Sequence, residues 1–139
     1  MFESEGVPVD ALESVLGEVL SAAGTSGTAG TSGASGTSGA ALVDAVTGLT
    51  YAESGDCAVA GNGPEVCRLL SLIEDGLHEA GAEGELESVV VTGRRTYHVV
   101  RVVARQGDPV LISTVLDRAD TNLALAARHI ATAAEGLFA

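Results

Sequence analysis

Residues 86–117 read Leu86-Glu87-Ser88-Val89-Val90-Val91-Thr92, then Gly93-Arg94-Arg95, then Thr96-Tyr97-His98-Val99-Val100-Arg101-Val102-Val103-Ala104. Arg105-Gln106-Gly107-Asp108-Pro109 and Val110-Leu111-Ile112-Ser113-Thr114-Val115-Leu116-Asp117 follow. β-Branched residues dominate three runs, and Gly or Pro marks each break, which is the pattern of successive β-strands. Neither break can hold a crossover helix, so neighbouring strands must run antiparallel. The expectation is a meander of strands over 86–92, 96–104 and 110–117, with the rest of the chain packed around it.

Upstream, residues 9–21 have helical periodicity. Leu12, Val15, Leu16 and Val19 fall on one face, opposite Glu13, Ser14, Gly17 and Glu18. Residues 24–39 are low in complexity, a repeating Gly/Thr/Ser triplet without Pro. Such a segment has little apolar area to bury and is expected to form a flexible insert, whether a natural repeat expansion or an engineered linker. Residues 40–44 and 49–53 then read as a hairpin, with Gly48 supplying the backbone freedom of the turn. Pro64 opens a second helix with Asn62 or Gly63 as its cap. Val66, Leu69, Leu70, Ile73 and Leu77 make its expected buried stripe, and Ala80-Gly81 ends it. Arg68, Leu72, Asp75 and Glu79 face the other way, with Leu72 an apolar residue on a polar face. After the meander, Asp120 is the expected cap of a last helix over 121–137, with Leu123, Ala126, Ala127, Ile130, Ala134 and Leu137 inward. The order is α-β-β-α-β-β-β-α, an α+β domain over residues 1–139 with a five-stranded antiparallel sheet flanked by three helices.

Composition narrows the function classes. The chain has 139 residues, enough for one core, and that core must be aliphatic because Trp is absent and only four residues are Phe or Tyr. All seven basic residues are Arg, against nineteen acids, for a net charge of −12. That argues against nucleic acid or an anionic membrane as a partner. Within 88–107 the balance inverts, with Arg94, Arg95, Arg101 and Arg105 and no acid. Either these form a local basic patch, or they offset Glu83, Glu85 and Glu87 nearby. The N-terminus lacks a signal-peptide pattern and no run of about 20 apolar residues exists, so a cytoplasmic location is the expectation.

No catalytic constellation is apparent. Gly61-Asn62-Gly63 lacks the remaining glycines and the Lys of a phosphate loop, and reads as a turn and helix cap. Cys57 and Cys67 lack zinc spacing, and no cofactor or metal is expected. His78, His98 and His129 lie on three different elements, and His98 shares its strand face with Thr96, Val100 and Val102. No carboxylates stand in an acid/base spacing.

The element order, with Ala41-Leu42-Val43-Asp44, Gly48-Leu49-Thr50-Tyr51-Ala52, Glu87-Ser88-Val89-Val90-Val91, Gly93, Val110-Leu111-Ile112-Ser113-Thr114-Val115 and Asp120-Thr121-Asn122-Leu123, resembles the Roadblock/LC7 proteins, particularly small bacterial ones. The resemblance covers residues 9–137 apart from the Gly-rich insert, where relatives have a short connection. It implies a profilin-like fold, no catalytic residues, a homodimer with the sheet continued across a two-fold axis, and a small Ras-like GTPase as partner. The expected dimer interface is Val89, Val90 and Val91. The expected partner-binding residues are Arg68, Leu72 and Asp75 on the second helix, and Arg94 and Arg95 on the turn. The alternative is a small-molecule sensor of profilin-like or PAS-like architecture; an enzyme is disfavoured by the missing constellation.

Overall fold

The computed structural model describes residues 9–23, 38–105 and 107–137. The chain forms α1 (Val9–Ala23), β1 (Gly39–Asp44), β2 (Thr50–Gly55), α2 (Gly63–Glu79), β3 (Ser88–Thr92), β4 (Thr96–Val103), β5 (Val110–Asp117), a 3-10 turn (Arg118–Asp120) and α3 (Leu123–Leu137). This is the expected order. The five strands form one sheet, β2-β1-β5-β4-β3, and every adjacent pair is antiparallel. β5, the last strand of the meander, therefore docks beside β1 and joins meander to hairpin at the centre. All its residues but Asp117 are buried.

The strand alternation sorts the core into two layers. Ala40, Leu42, Val99, Val103, Val110 and Ile112 face Leu12, Leu16 and Val19 of α1 and Ile130 and Leu137 of α3. Ala41, Val43, Val100 and Leu111 face the other way, against Val66 and Leu70 of α2, with Leu86 and Val89 at the margin. Two helices thus cover one face and a single helix the other. The N-terminus of α2 is fixed where the β1–β2 turn meets it: a Cβ on Gly63 would strike the Gly48 carbonyl and press on Val43. Gly48, at φ +79°, closes that turn, donating its N–H to the Asp44 carbonyl at 3.0 Å.

Several expected boundaries shift. The first meander strand begins at Ser88 rather than at 86, because Leu86 tucks in beside the α2 layer. The Glu87 carbonyl still accepts from Val102 N–H at 2.8 Å. The second strand stops at Val103. The last helix starts at Leu123, and its cap is Asn122, whose Oδ1 accepts from Leu125 N–H at 3.0 Å. Asp120 instead ends the intervening 3-10 turn, which Asp117 caps through Ala119 N–H at 3.0 Å. Of the expected insert over 24–39, residues 24–37 lie outside the described residues. Gly39 belongs to the sheet, pairing with both Gly55 and Val115, and Ser38 leads into it, its carbonyl accepting from Asp56 N–H at 2.9 Å.

The expected buried stripe of α2 holds only over its first half. Val66 and Leu70 are buried, whereas Leu69 and Ile73 are half-buried and Leu77 is 43% exposed. The helix outruns the sheet surface beneath it, so its second half has little to pack on within the chain.

Candidate functional site

Three features converge on the β3 side of the molecule. First, β3 is an edge strand. Val89 turns toward α2, while Val90 and Val91 are 43% and 41% exposed. A flat edge of three consecutive valines, without Lys, Pro or a bulge, leaves its outward N–H and C=O groups ready to pair with another strand. The opposite edge, β2, carries Glu53 and lies beside α1.

Second, the second half of α2 and the connection into β3 enclose a surface groove of about 510 Å³. Leu77 and Leu86 supply apolar lining, and Glu74, Asp75, Glu83, Glu85 and Glu87 ring it with acid. On the outward face of the same helix, Arg68, Leu72 and Asp75 are all exposed, with Leu72 at 62%. The spacing of four and then three residues puts them on one stripe.

Third, Arg94 and Arg95 occupy the β3–β4 turn, where they line a cleft with Thr96, Asp117 and Arg118. Arg118 reaches back across the turn: its Nη1 donates to the Gly93 carbonyl at 2.8 Å, and its guanidinium stands 5.7 Å from the Tyr97 ring centroid. Arg118 was not anticipated, although the antiparallel β4–β5 pairing, Thr96 opposite Asp117, puts it next to Arg95. Neither Arg94 nor Arg95 finds an acidic partner among the described residues. Within one chain this turn and the α2 stripe are separate surfaces, at opposite ends of β3.

The basic patch anticipated over 88–107 therefore divides. Arg101 sits mid-strand opposite Ser88 and Ile112, with its Nε buried. Arg105 lies across the sheet, 3.6 Å from Asp44 Oδ2, and donates to Tyr51 Oη at 3.2 Å and to the Asp108 carbonyl at 2.7 Å. Tyr51 in turn donates to Asp44 Oδ2 at 2.6 Å. Burial pushes the Asp44 carboxyl upward, but the hydrogen bonds from Tyr51 and from Thr47 and Val46 outweigh it, and the carboxyl ends below its ordinary value. The Asp44 bond and burial likewise hold the Tyr51 phenol above its ordinary value. This cluster locks the β1–β2 hairpin to the β4–β5 turn.

His98, the two cysteines and Asn62 have structural partners, whereas the buried Thr114 Oγ1 has none among the described residues. His98 Nε2 lies 2.8 Å from Ser113 Oγ, and desolvation lowers the imidazole from its ordinary value. The Cys57 thiol donates to the Ala40 and Ser54 carbonyls and Cys67 to the Asp44 carbonyl, and burial raises both thiols. Asn62 caps α2 through Glu65 N–H at 3.4 Å, as the reading of the 61–63 stretch expects. Among the described residues no group of three His, Cys, Asp or Glu stands ready for a metal, and no helix is long and apolar enough to cross a membrane. A cleft of about 480 Å³ between α1 and α3 is lined by apolar residues together with Glu18, His129 and Thr132. Val46, Leu49 and Val59, around the β1–β2 turn and the loop after β2, are exposed without any periodicity to flag them.

No protein-family model matches the sequence, and no curated protein matches it either. Solved structures do match the fold. The gliding protein MglB from Thermus thermophilus superposes with a TM-score of 0.69 at 18% identity, over 92% of this chain and 86% of that one. An MglB structure described as a tetrameric arrangement gives 0.69 at 20% identity, over 94% and 87%. A Roadblock/LC7 domain from Streptomyces avermitilis gives 0.68 at 16% identity, over 90% and 92%. At this identity the likeness is one of architecture, and it agrees with the element order and the resemblance carried by the sequence: the chain has the Roadblock/LC7 fold.

Proposed function

We propose that this chain is a non-catalytic homodimer, paired through β3, that regulates or scaffolds a small Ras-like GTPase. The observation that carries the dimer is the β3 edge: three valines in a row, two of them exposed, beside an α2 whose apolar stripe is left half uncovered at Ile73 and Leu77. Joining β3 to a second β3 across a two-fold axis satisfies the strand's free backbone groups and continues the sheet. A strand pair alone buries less than the roughly 1,200 Å² of a stable interface, and the second half of α2 on the same side supplies further apolar area. The GTPase follows from the sequence resemblance, and the exposed Arg68–Leu72–Asp75 stripe has the form of an interface anchor, an apolar residue rimmed by charge.

Light scattering after size exclusion tests the dimer. The expected result is a dimer at micromolar concentration, lost in Val90→Pro, which removes a ladder donor. A soluble monomer would sink the proposal. The GTPase is tested by loading a panel of small Ras-like GTPases with a GTP analogue or GDP and measuring capture by the immobilised protein; no capture of any of them in either state would count against this partner. The sensor alternative would use the α1–α3 cleft, and native mass spectrometry showing a stoichiometric metabolite there would favour it.

A further inference from the structure

β3 is followed closely by Arg94 and Arg95 and preceded by Glu83, Glu85 and Glu87, and neither set forms an ion pair among the described residues. The consequence depends on register. In β3, Val89 and Val91 face the α2 side, opposite Val100 and His98, and Val90 faces the α1–α3 side, opposite Val99. Directly opposed residues in an antiparallel pair lie on the same face. A two-fold axis normal to the sheet must therefore pass through a residue position. Centred on Val90, it sets Val90 against the partner's Val90 and Val89 against the partner's Val91. Centred on Val89 it sets Val91 against the partner's Glu87; centred on Val91 it sets Val89 against the partner's Gly93. Only the Val90-centred register pairs all three valines with valines.

β3 ends at Ser88 and Thr92, and in that register the segment before it, with Glu85 and Glu87, runs out beside the partner's 93–95 turn, with Arg94 and Arg95. We infer that a second copy of this chain docks on β3 in the Val90-centred register, and that Glu85 and Glu87 of one copy hold Arg94 and Arg95 of the other, twice per dimer. This rests on the β3 homodimer proposed above and specifies its geometry. The partner's arginine turn enters the acid-rimmed groove beside Glu74 and Asp75, in a chain whose net charge of −12 otherwise repels a second copy. A parallel alignment would instead stack arginine on arginine and acid on acid. Exposed ion pairs add little affinity, but opposed like charges are costly, so these groups select register and orientation more than they strengthen the contact.

The experiment uses two variants of the full chain, Glu85→Arg/Glu87→Arg and Arg94→Glu/Arg95→Glu. Each alone places like charges at both ends of the interface and should dimerise at least about tenfold more weakly than wild type. Mixed in equal amounts, they place opposite charges at both ends and should form a heterodimer with near wild-type affinity. Wild-type dimers with both variants unaffected, or with no selective heterodimer, would overturn the inference and leave the β3 dimer standing; a monomeric wild type would overturn both. Val90→Cys gives a second reading that does not depend on how the charge variants fold. Val90 meets its own copy within disulfide reach, whereas Ser88 faces the partner's Thr92. Val90→Cys should cross-link on mild oxidation and Ser88→Cys should not, with wild type controlling for Cys57 and Cys67. The reverse pattern would reject the register.

Discussion

His98 Nε2 lies 2.8 Å from Ser113 Oγ, a side-chain bridge from β4 to the fully buried centre of β5. Desolvation lowers the His98 pKa from its ordinary 6.5, so folding favours the neutral ring. A group whose folded pKa is depressed contributes stability that is present above the unfolded value and lost as pH falls through the folded one. The melting temperature should therefore be level above about pH 7 and decline as pH drops below 6.5. His98→Gln should flatten that decline. Ser113→Ala strands the ring nitrogen and should cost about 1–3 kcal/mol at neutral pH, read by denaturant unfolding.

The Asp44–Tyr51–Arg105 cluster predicts an acid limb of its own. The Asp44 carboxyl is depressed below 3.8, so its stabilisation is present above that value and lost as pH falls through the folded pKa. Tyr51→Phe removes the 2.6 Å bond to Asp44 and the donor contact from Arg105. It should raise the Asp44 midpoint in a carboxyl-carbon NMR titration. A charge-assisted bond of this kind contributes about 1.5–3 kcal/mol when buried; here Tyr51 is partly exposed, and the expected loss is about 1 kcal/mol.

Two glycines of α2 should respond oppositely to alanine. At Gly63 a Cβ meets the Gly48 carbonyl and Val43, so Gly63→Ala forces the helix start away from the turn. Overpacking of this kind costs about 1–3 kcal/mol, a fall of several degrees in melting temperature. At Gly76 nothing lies within 4 Å and the position is inside the helix. Gly76→Ala should stabilise by about 0.5–1 kcal/mol. Thermal melts of both variants, with the oligomeric state monitored, check the pair.

Leu72→Asp separates partner binding from folding. The residue is 62% exposed, so its change should alter unfolding free energy by no more than about 0.5 kcal/mol. At an interface the new charge would be desolvated, and binding of a GTP-loaded partner should weaken by about 2 kcal/mol or more. Arg68→Glu should act mainly on the association rate and its salt dependence. Interferometry on both variants decides; unchanged affinity in Leu72→Asp with the dimer intact would move the partner site off the Arg68–Leu72–Asp75 stripe.

The sequence by itself determined the elements and the local geometry that short range dictates. The turns at 93–95 and 105–109 are too short for anything but antiparallel neighbours, the period-2 runs set which residues face together, and Pro64 after Asn62 announced the start of α2. Helix boundaries were less legible: Asp117, Asp120 and Asn122 are all competent caps, and only the path of the chain off β5 assigns Asn122 to α3. Tertiary structure alone decided that β5 pairs with β1, which leaves β3 at an edge, because that pairing joins residues some seventy positions apart and no local pattern encodes it. It also decided that Leu77, on a perfect helical stripe, stays exposed, since periodicity says which way a side chain points but not whether anything stands opposite. By the same logic it split four arginines close in sequence, sending Arg105 to Asp44 and leaving Arg94 and Arg95 on the turn at the end of an edge strand, without an ion pair to an acid among the described residues.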